Sequence, residues 1–165
     1  MLSLENLSAD LGQALLAKGW QLALAESCTG GMVAQAVTAI AGSSAWFDRG
    51  FVTYSNEAKV DMLSVPQALI QAHGAVSEPV AQAMAAGAIQ HSLAHISAAV
   101  TGIAGPTGGS LQKPVGTVCF AWAIRGDSDQ AERLVVETRY FAGDRAAIRQ
   151  QAASHVLTGL LSLAG

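Results

Sequence analysis

Two short polar stretches, each rich in glycine and each entered from an apolar run, constrain this chain more than any other feature. The first is Ala25-Glu26-Ser27-Cys28-Thr29-Gly30-Gly31, reached from the run at 22–25 and left through a helix-like run at 32–40. The second is Thr101-Gly102-Ile103-Ala104-Gly105-Pro106-Thr107-Gly108-Gly109, which closes a run of β-formers at 95–101. A short apolar run bounded by turn signals reads as a buried strand. Strand, tight turn and helix in that order place Ser27 at a strand tip, ahead of a helix N-terminus whose free N–H groups carry partial positive charge. A hydroxyl held there can attack a carbonyl while neighbouring N–H groups take up the oxyanion. The same turn can instead hold a phosphate, or it can be a plain Ser/Thr cap followed by turn glycines. It lacks a Gly-Lys-Ser/Thr sequence, which argues against a P-loop.

The rest of the chain alternates helix and strand. Leu4, Leu7, Leu11, Ala14, Leu15 and Leu16 predict a helix over 3–18, ended by Gly19. Strands are predicted at 20–25, 51–54, 95–101, 115–124 and 134–141, and helices at 30–41, 57–63, 66–73, 78–93 and 144–163. Residues 42–50 read as a connector, and Arg125-Gly126-Asp127-Ser128-Asp129 as the turn of a hairpin. Interleaved strands and helices predict an α/β fold: a three-layer α/β/α sandwich with a mixed, mostly parallel sheet ending in an antiparallel hairpin. Without a linker or an internal repeat, 1–165 reads as a single domain. Ligands of such sheets bind at the carboxyl ends of strands. If the strands before the two glycine loops are parallel neighbours, both loops share one rim.

Half of the residues are hydrophobic and only 13% are charged, yet no apolar run is long enough to span a bilayer, so the excess reads as core. The Ala- and Gly-rich helices suggest close packing and a homo-oligomer, most simply a dimer. A net charge of −3 argues against nucleic acid as a partner. Cys28 and Cys119 form no metal-binding spacing, so neither a metal nor a cofactor is expected. Reduced cysteines and the absence of a basic-then-apolar leader point to the cytoplasm.

A serine nucleophile needs a base. His73, His91, His95 and His155 all lie away from the glycine loops in sequence. Lys59 follows a strand in Tyr54-Ser55-Asn56-Glu57-Ala58-Lys59, and a lysine desolvated in a pocket can be neutral and accept a hydroxyl proton. Tyr54 can share that relay. By spacing alone the plainer reading is favoured, with Lys59 a solvated helix residue and Tyr54 a core aromatic. Arg145 and Arg149 lie four apart on one helix face and can clamp an anion, or they are surface charges. Arg49 is an anion site or half of an ion pair with Asp48. Glu26 orients a lysine or binds the backbone of its own turn.

Six motifs occur in one order: the Ser27 stretch, the Tyr54–Lys59 stretch, Gly74-Ala75-Val76-Ser77-Glu78, Thr101-Gly102-Ile103-Ala104-Gly105-Pro106, Lys113-Pro114-Val115-Gly116-Thr117-Val118, and Gly143-Asp144-Arg145 with Arg149. In that order they resemble the CinA C-terminal domain family over about residues 5–163. The resemblance implies the stand-alone form, without the molybdopterin-binding-like domain that precedes it in full-length CinA, and so without that domain's pyrophosphatase activity. It implies hydrolysis of the carboxamide of nicotinamide mononucleotide to nicotinate mononucleotide and ammonia, in pyridine-nucleotide salvage. The catalytic serine, tyrosine and lysine would be Ser27, Tyr54 and Lys59, which reverses the reading from spacing. Thr29, Gly30 and Gly31 are then expected around the oxyanion, and Thr101, Gly102, Gly105 and Arg145 around the nucleotide. Two alternatives stand beside it: a Ser-Lys amidase acting on another amide, and a non-enzymatic nucleotide-binding or regulatory module.

Overall fold

The structure is a computed structural model that describes residues 2–126 and 131–165. Among the described residues, six α-helices and five strands alternate: α1 (Leu4–Lys18), β1 (Leu22–Glu26), α2 (Met32–Thr38), β2 (Phe47–Val52), α3 (Asn56–Leu63), α4 (Gln67–His73), α5 (Glu78–Gln90), β3 (Ile96–Gly102), β4 (Thr117–Arg125), β5 (Ala131–Tyr140) and α6 (Arg145–Ala164). The strands form one sheet in the order β2-β1-β3-β4-β5. Strand β1 pairs in parallel with both β2 and β3, and β4 pairs antiparallel with β3 and with β5. This is the expected three-layer α/β/α architecture with a terminal hairpin. The predicted hairpin turn falls largely on 127–130, outside the described residues.

Alternation along the central strands separates two cores. Leu22, Leu24, Ile96, Ala98, Val100, Val118, Phe120 and Trp122 face α1, α2 and α6. On the other face Ala23, Ala25, Ala99, Cys119, Ala121 and Ala123 meet α3, α4 and α5. That second face is built almost wholly from alanine, and α5 answers with Ala81, Ala85 and Ala88. Small residues on both sides bring the helix close. At Gly87 there is no space for a side chain, since a Cβ would lie 2.1 Å from the Leu63 carbonyl oxygen of α3. The first face is built oppositely, with bulk seated against glycine. The Trp122 indole lies against Gly159 of α6 and donates its N–H to the Val156 carbonyl at 3.1 Å.

Side chains cap four of the helices: Ser3 caps α1, Ser55 α3, Ser77 α5 and Asp144 α6. Some boundaries move. Strand β1 starts at Leu22, because Trp20 leaves the strand line and stacks on His95. Helix α2 ends at Thr38, and Gly42 leads a single 3-10 turn at Ser43–Ala45. Residues 47–50 are strand, not connector, while 53–54 have left the strand. An edge strand needs only one ladder, so parallel pairing to β1 tolerates Asp48, Arg49 and Gly50. Their polar side chains are used locally. Asp48 accepts from Arg49 Nε at 2.8 Å and from the Leu93 N–H at 2.9 Å, and Arg49 also donates to the His91 carbonyl. Arg49 is therefore half of an ion pair that ties the edge strand to the turn before β3.

Candidate active site

Because β2, β1 and β3 run in parallel side by side, their carboxyl ends come together on one edge of the sheet. A cleft of about 270 Å³ opens there, bordered by Ser27, Tyr54 and Lys59, by Asn56 and Val76, and by Thr101, Gly102, Gly105 and Arg145. Both glycine-rich stretches thus reach one rim, as parallel neighbours require.

Ser27 is the first residue past β1. Its N–H continues the ladder to the Val100 carbonyl at 3.0 Å, so its backbone remains strand-like and fixed. Lys59 lies in the second turn of α3 and points inward, with 1% of its surface exposed. Its Nζ stands 3.0 Å from Ser27 Oγ, 2.8 Å from the Thr53 carbonyl oxygen and 3.3 Å from that of Tyr54. Burial pushes the Lys59 pKa below the ordinary lysine range. A neutral amine has two N–H donors and one lone pair. In its neutral form Lys59 can donate to two of these carbonyls and keep its lone pair for the Ser27 hydroxyl. The plain reading of Lys59 as a solvated helix residue is overturned.

Tyr54 is 62% exposed and is not a core aromatic. Its hydroxyl accepts from Arg145 at 3.2 Å. Arg145 donates also to the Gly105 carbonyl at 2.7 Å, so its guanidinium bridges the two sides of the cleft mouth. Arg149, one turn further along α6, does not join it. Arg149 donates to the Cys28 and Thr29 carbonyls at 3.1 and 3.0 Å and braces the nucleophile turn from behind. The expected arginine pair therefore divides into one residue in the cleft and one in the scaffold.

Thr29, Gly30 and Gly31, expected around an oxyanion, are not among the described residues that border the cleft. Thr29 is fully buried and donates its hydroxyl to Glu26 at 2.6 Å. The Gly30 N–H is taken by the Ser27 carbonyl at 3.0 Å, and Gly31, with φ of 102°, starts α2. Glu26 binds its own turn and not a lysine. Thr101 Oγ1 donates to the Ala75 carbonyl at 3.0 Å, which fixes one wall, and Gly102 and Gly105 border the opening. At Gly105, φ is 80° and a Cβ would meet Val115 at 2.4 Å, so glycine is required. Asn56 also borders the cleft and was not singled out from sequence, where it looks like one more cap residue after Ser55.

Cys28, beside the serine, is buried, and burial pushes its thiol up to about 12. It remains protonated at neutral pH and is no rival nucleophile. Three of the four histidines are engaged elsewhere, and none of the four borders the cleft among the described residues: His95 accepts from Gln21, His91 pairs with Ser64, and His155 packs against Phe120 and Trp122.

A parallel-sheet edge carrying a serine hydroxyl 3.0 Å from a buried lysine Nζ defines the class: an α/β protein with a strand-end serine–lysine pair in an open cleft. Comparison with known proteins sets the family. The model of the CinA C-terminal domain matches residues 4–164, and the chain belongs to that family. It is 52% identical to nicotinamide-nucleotide amidohydrolase PncC of Escherichia coli K12, over 95% of this chain and 92% of that protein. It is 49% identical to PncC of Pseudomonas putida, over 96% and 95%. A putative competence-damage inducible protein of Symbiobacterium thermophilum is 53% identical over 93% of this chain, which spans only 37% of that longer relative. Among solved structures, the competence/damage inducible protein CihA of Agrobacterium tumefaciens superimposes with a TM-score of 0.92 at 42% identity, covering 100% of this chain and 99% of that one. No helix among the described residues is long and apolar enough to cross a membrane.

Proposed function

We propose that this protein hydrolyses the carboxamide of nicotinamide mononucleotide, giving nicotinate mononucleotide and ammonia, in pyridine-nucleotide salvage. The observation that carries the reading is the 3.0 Å approach of a buried lysine Nζ to Ser27 Oγ, in a chain about half identical to two proteins named for this reaction. Neutral Lys59 takes the Ser27 proton as Oγ attacks the amide carbon. The tetrahedral intermediate collapses as Lys59, with Tyr54 assisting, gives that proton to the departing nitrogen, and ammonia leaves. Water, deprotonated by Lys59, then cleaves the acyl-enzyme. The pyridinium charge of the substrate draws electrons from the carboxamide and helps both attacks.

Cys28, Ala104 and Gly105 border the cleft, and we assign the oxyanion donors to their backbone N–H groups. The 5′-phosphate pairs with Arg145, whose present acceptors are a hydroxyl and a carbonyl and not a carboxylate. Among the described residues no Asp or Glu borders the cleft, which suits an anionic ligand.

The test is ammonia release from nicotinamide mononucleotide, beside nicotinamide riboside and nicotinamide, in EDTA. The expected result is turnover of the mononucleotide alone, lost in Ser27→Ala. Equal turnover of all three would mean a general Ser-Lys amidase. Binding of the mononucleotide without ammonia from any of them would mean a regulatory module.

A further inference from the structure

The mechanism above leaves the buried carboxylate of Glu26 unused. Glu26 is 1% exposed, ends β1 and immediately precedes the nucleophile. Its carboxylate reaches into the start of α2. Oε1 accepts from the Thr29 hydroxyl at 2.6 Å and from the Val33 N–H at 3.0 Å, and Oε2 accepts from the Ala34 N–H at 2.9 Å. Helix α2 has no capping side chain of its own, since the residue at its N-cap is Gly31. A strand residue therefore caps the following helix across the turn that carries Ser27.

We infer that Glu26 is a positioning residue for the reaction, a carboxylate that ties the end of β1 to the start of α2 and so holds Ser27 Oγ against Lys59 Nζ. The turn between them is five residues long and holds two glycines with positive φ, at Gly30 and Gly31. Such a turn has no rigidity of its own. Glu26 grips it through the Thr29 hydroxyl and anchors its far end through the Val33 and Ala34 N–H groups of α2, and Arg149 grips it through the Cys28 and Thr29 carbonyls. Between these two grips the Ser27 N–H is fixed on Val100 and the Ser27 carbonyl on Gly30. The nucleophile's position is thereby set by charge-assisted bonds from residues on either side of it. A neutral amide at position 26 would present an NH₂ group to donors and break at least one of the three bonds. An error of 1 Å in placing a reacting group costs about 100-fold in rate.

This inference rests on the Ser27–Lys59 reading but not on the identity of the substrate, and the test uses that independence. Wild-type protein, Glu26→Gln and Thr29→Val are compared for the rate of Ser27 phosphonylation by a fluorophosphonate probe, followed by intact mass, with Ser27→Ala as the blank. The kcat and KM for ammonia release from nicotinamide mononucleotide are measured on the same preparations, with the folded fraction taken from circular dichroism. The expected result is that the phosphonylation rate constant and kcat fall together by about tenfold or more in Glu26→Gln, while KM moves less than about twofold. Thr29→Val, which loses one bond and keeps the side-chain volume, shows a smaller fall of the same kind and decides the matter if Glu26→Gln does not fold. The inference is overturned if the folded fraction of either variant reacts at the wild-type rate constant, or if KM rises while the probe rate holds. Probe-reactive wild-type protein that releases no ammonia would overturn the proposed substrate and leave the comparison of probe rates to judge Glu26.

Discussion

The two glycine-rich stretches look like twins in sequence, and the structure makes them opposites. The Ser27 turn is buried from Ser27 to Thr29 and its polar groups are spent on the protein itself, on Val100, Glu26 and Arg149. The 103–116 loop is exposed from 106 to 112 and is moored at few points, through Ile103 and Gly116 at its base, Lys113 on the His73 carbonyl and Arg145 on the Gly105 carbonyl. A locked turn suits a reacting atom that must not move, and a lightly moored rim suits a ligand that must enter and leave. Glycine serves the first by allowing a tight reversal and the second by leaving room for the backbone to face the cleft.

The contrast predicts that damage on the locked side appears in kcat and damage on the open side in KM. The largest effect is expected from Lys59→Met, which removes the base and should lower kcat by about 10² to 10⁴-fold with KM little changed, read by steady-state ammonia release. Arg145→Ala on the open side should raise KM for the mononucleotide by about 10 to 100-fold with a smaller change in kcat, the worth of one hydrogen-bonded charge. The reverse pattern in either variant would break the comparison. Gly87→Ala tests the platform under Lys59 rather than the site. A Cβ driven against the Leu63 carbonyl should cost about 1–3 kcal/mol and lower Tm by several degrees in a thermal scan. Cys28→Ala should have the smallest effect, with near wild-type kcat, since its thiol near 12 takes no part at neutral pH.

The depressed Lys59 pKa also predicts a pH signature. In the proposed mechanism the active form is the neutral amine, so kcat/KM should fall on the acid side as Lys59 gains a proton. Stability shifts in the same direction. Between the lowered folded pKa and the ordinary lysine value, the unfolded chain holds a proton that the folded chain lacks, so stability rises with pH across that window. Lys59→Met should therefore raise Tm at neutral pH, and the gain should shrink above the ordinary lysine range. A variant that loses the reaction while gaining stability would mark Lys59 as a residue held against its own preference.

Much of this was legible in the sequence. The strand–turn–helix order around Ser27, the caps at Ser55, Ser77 and Asp144, and the shared rim of the two loops all follow from local pattern and sheet topology. Three features were not legible. Strand β2 is fixed by its neighbour, and nothing local in Asp48-Arg49-Gly50 favours an extended chain. The depth of Lys59 depends on how α3 seats against Gly87 of α5, a contact 28 residues away in sequence. The Thr29-Gly30-Gly31 turn reads as an oxyanion pocket because a helix N-terminus follows it. A carboxylate five residues before Gly31 already occupies the first N–H groups of that helix, and no spacing rule separates a filled helix start from an open one.

The alanine floor beneath α5 carries a consequence for how the molecule keeps its shape. A buried leucine or methionine must choose among rotamers and can exchange them, whereas an alanine has none to choose and surrenders no side-chain entropy on burial. The sheet face formed by Ala23, Ala25, Ala99, Ala121 and Ala123 is thus as ordered as its backbone. The strands that deliver Ser27 and Thr101 rest on a surface with no internal slack. Thermal motion in this protein is expected to gather in the rim that meets the ligand, while the bed under the nucleophile stays still.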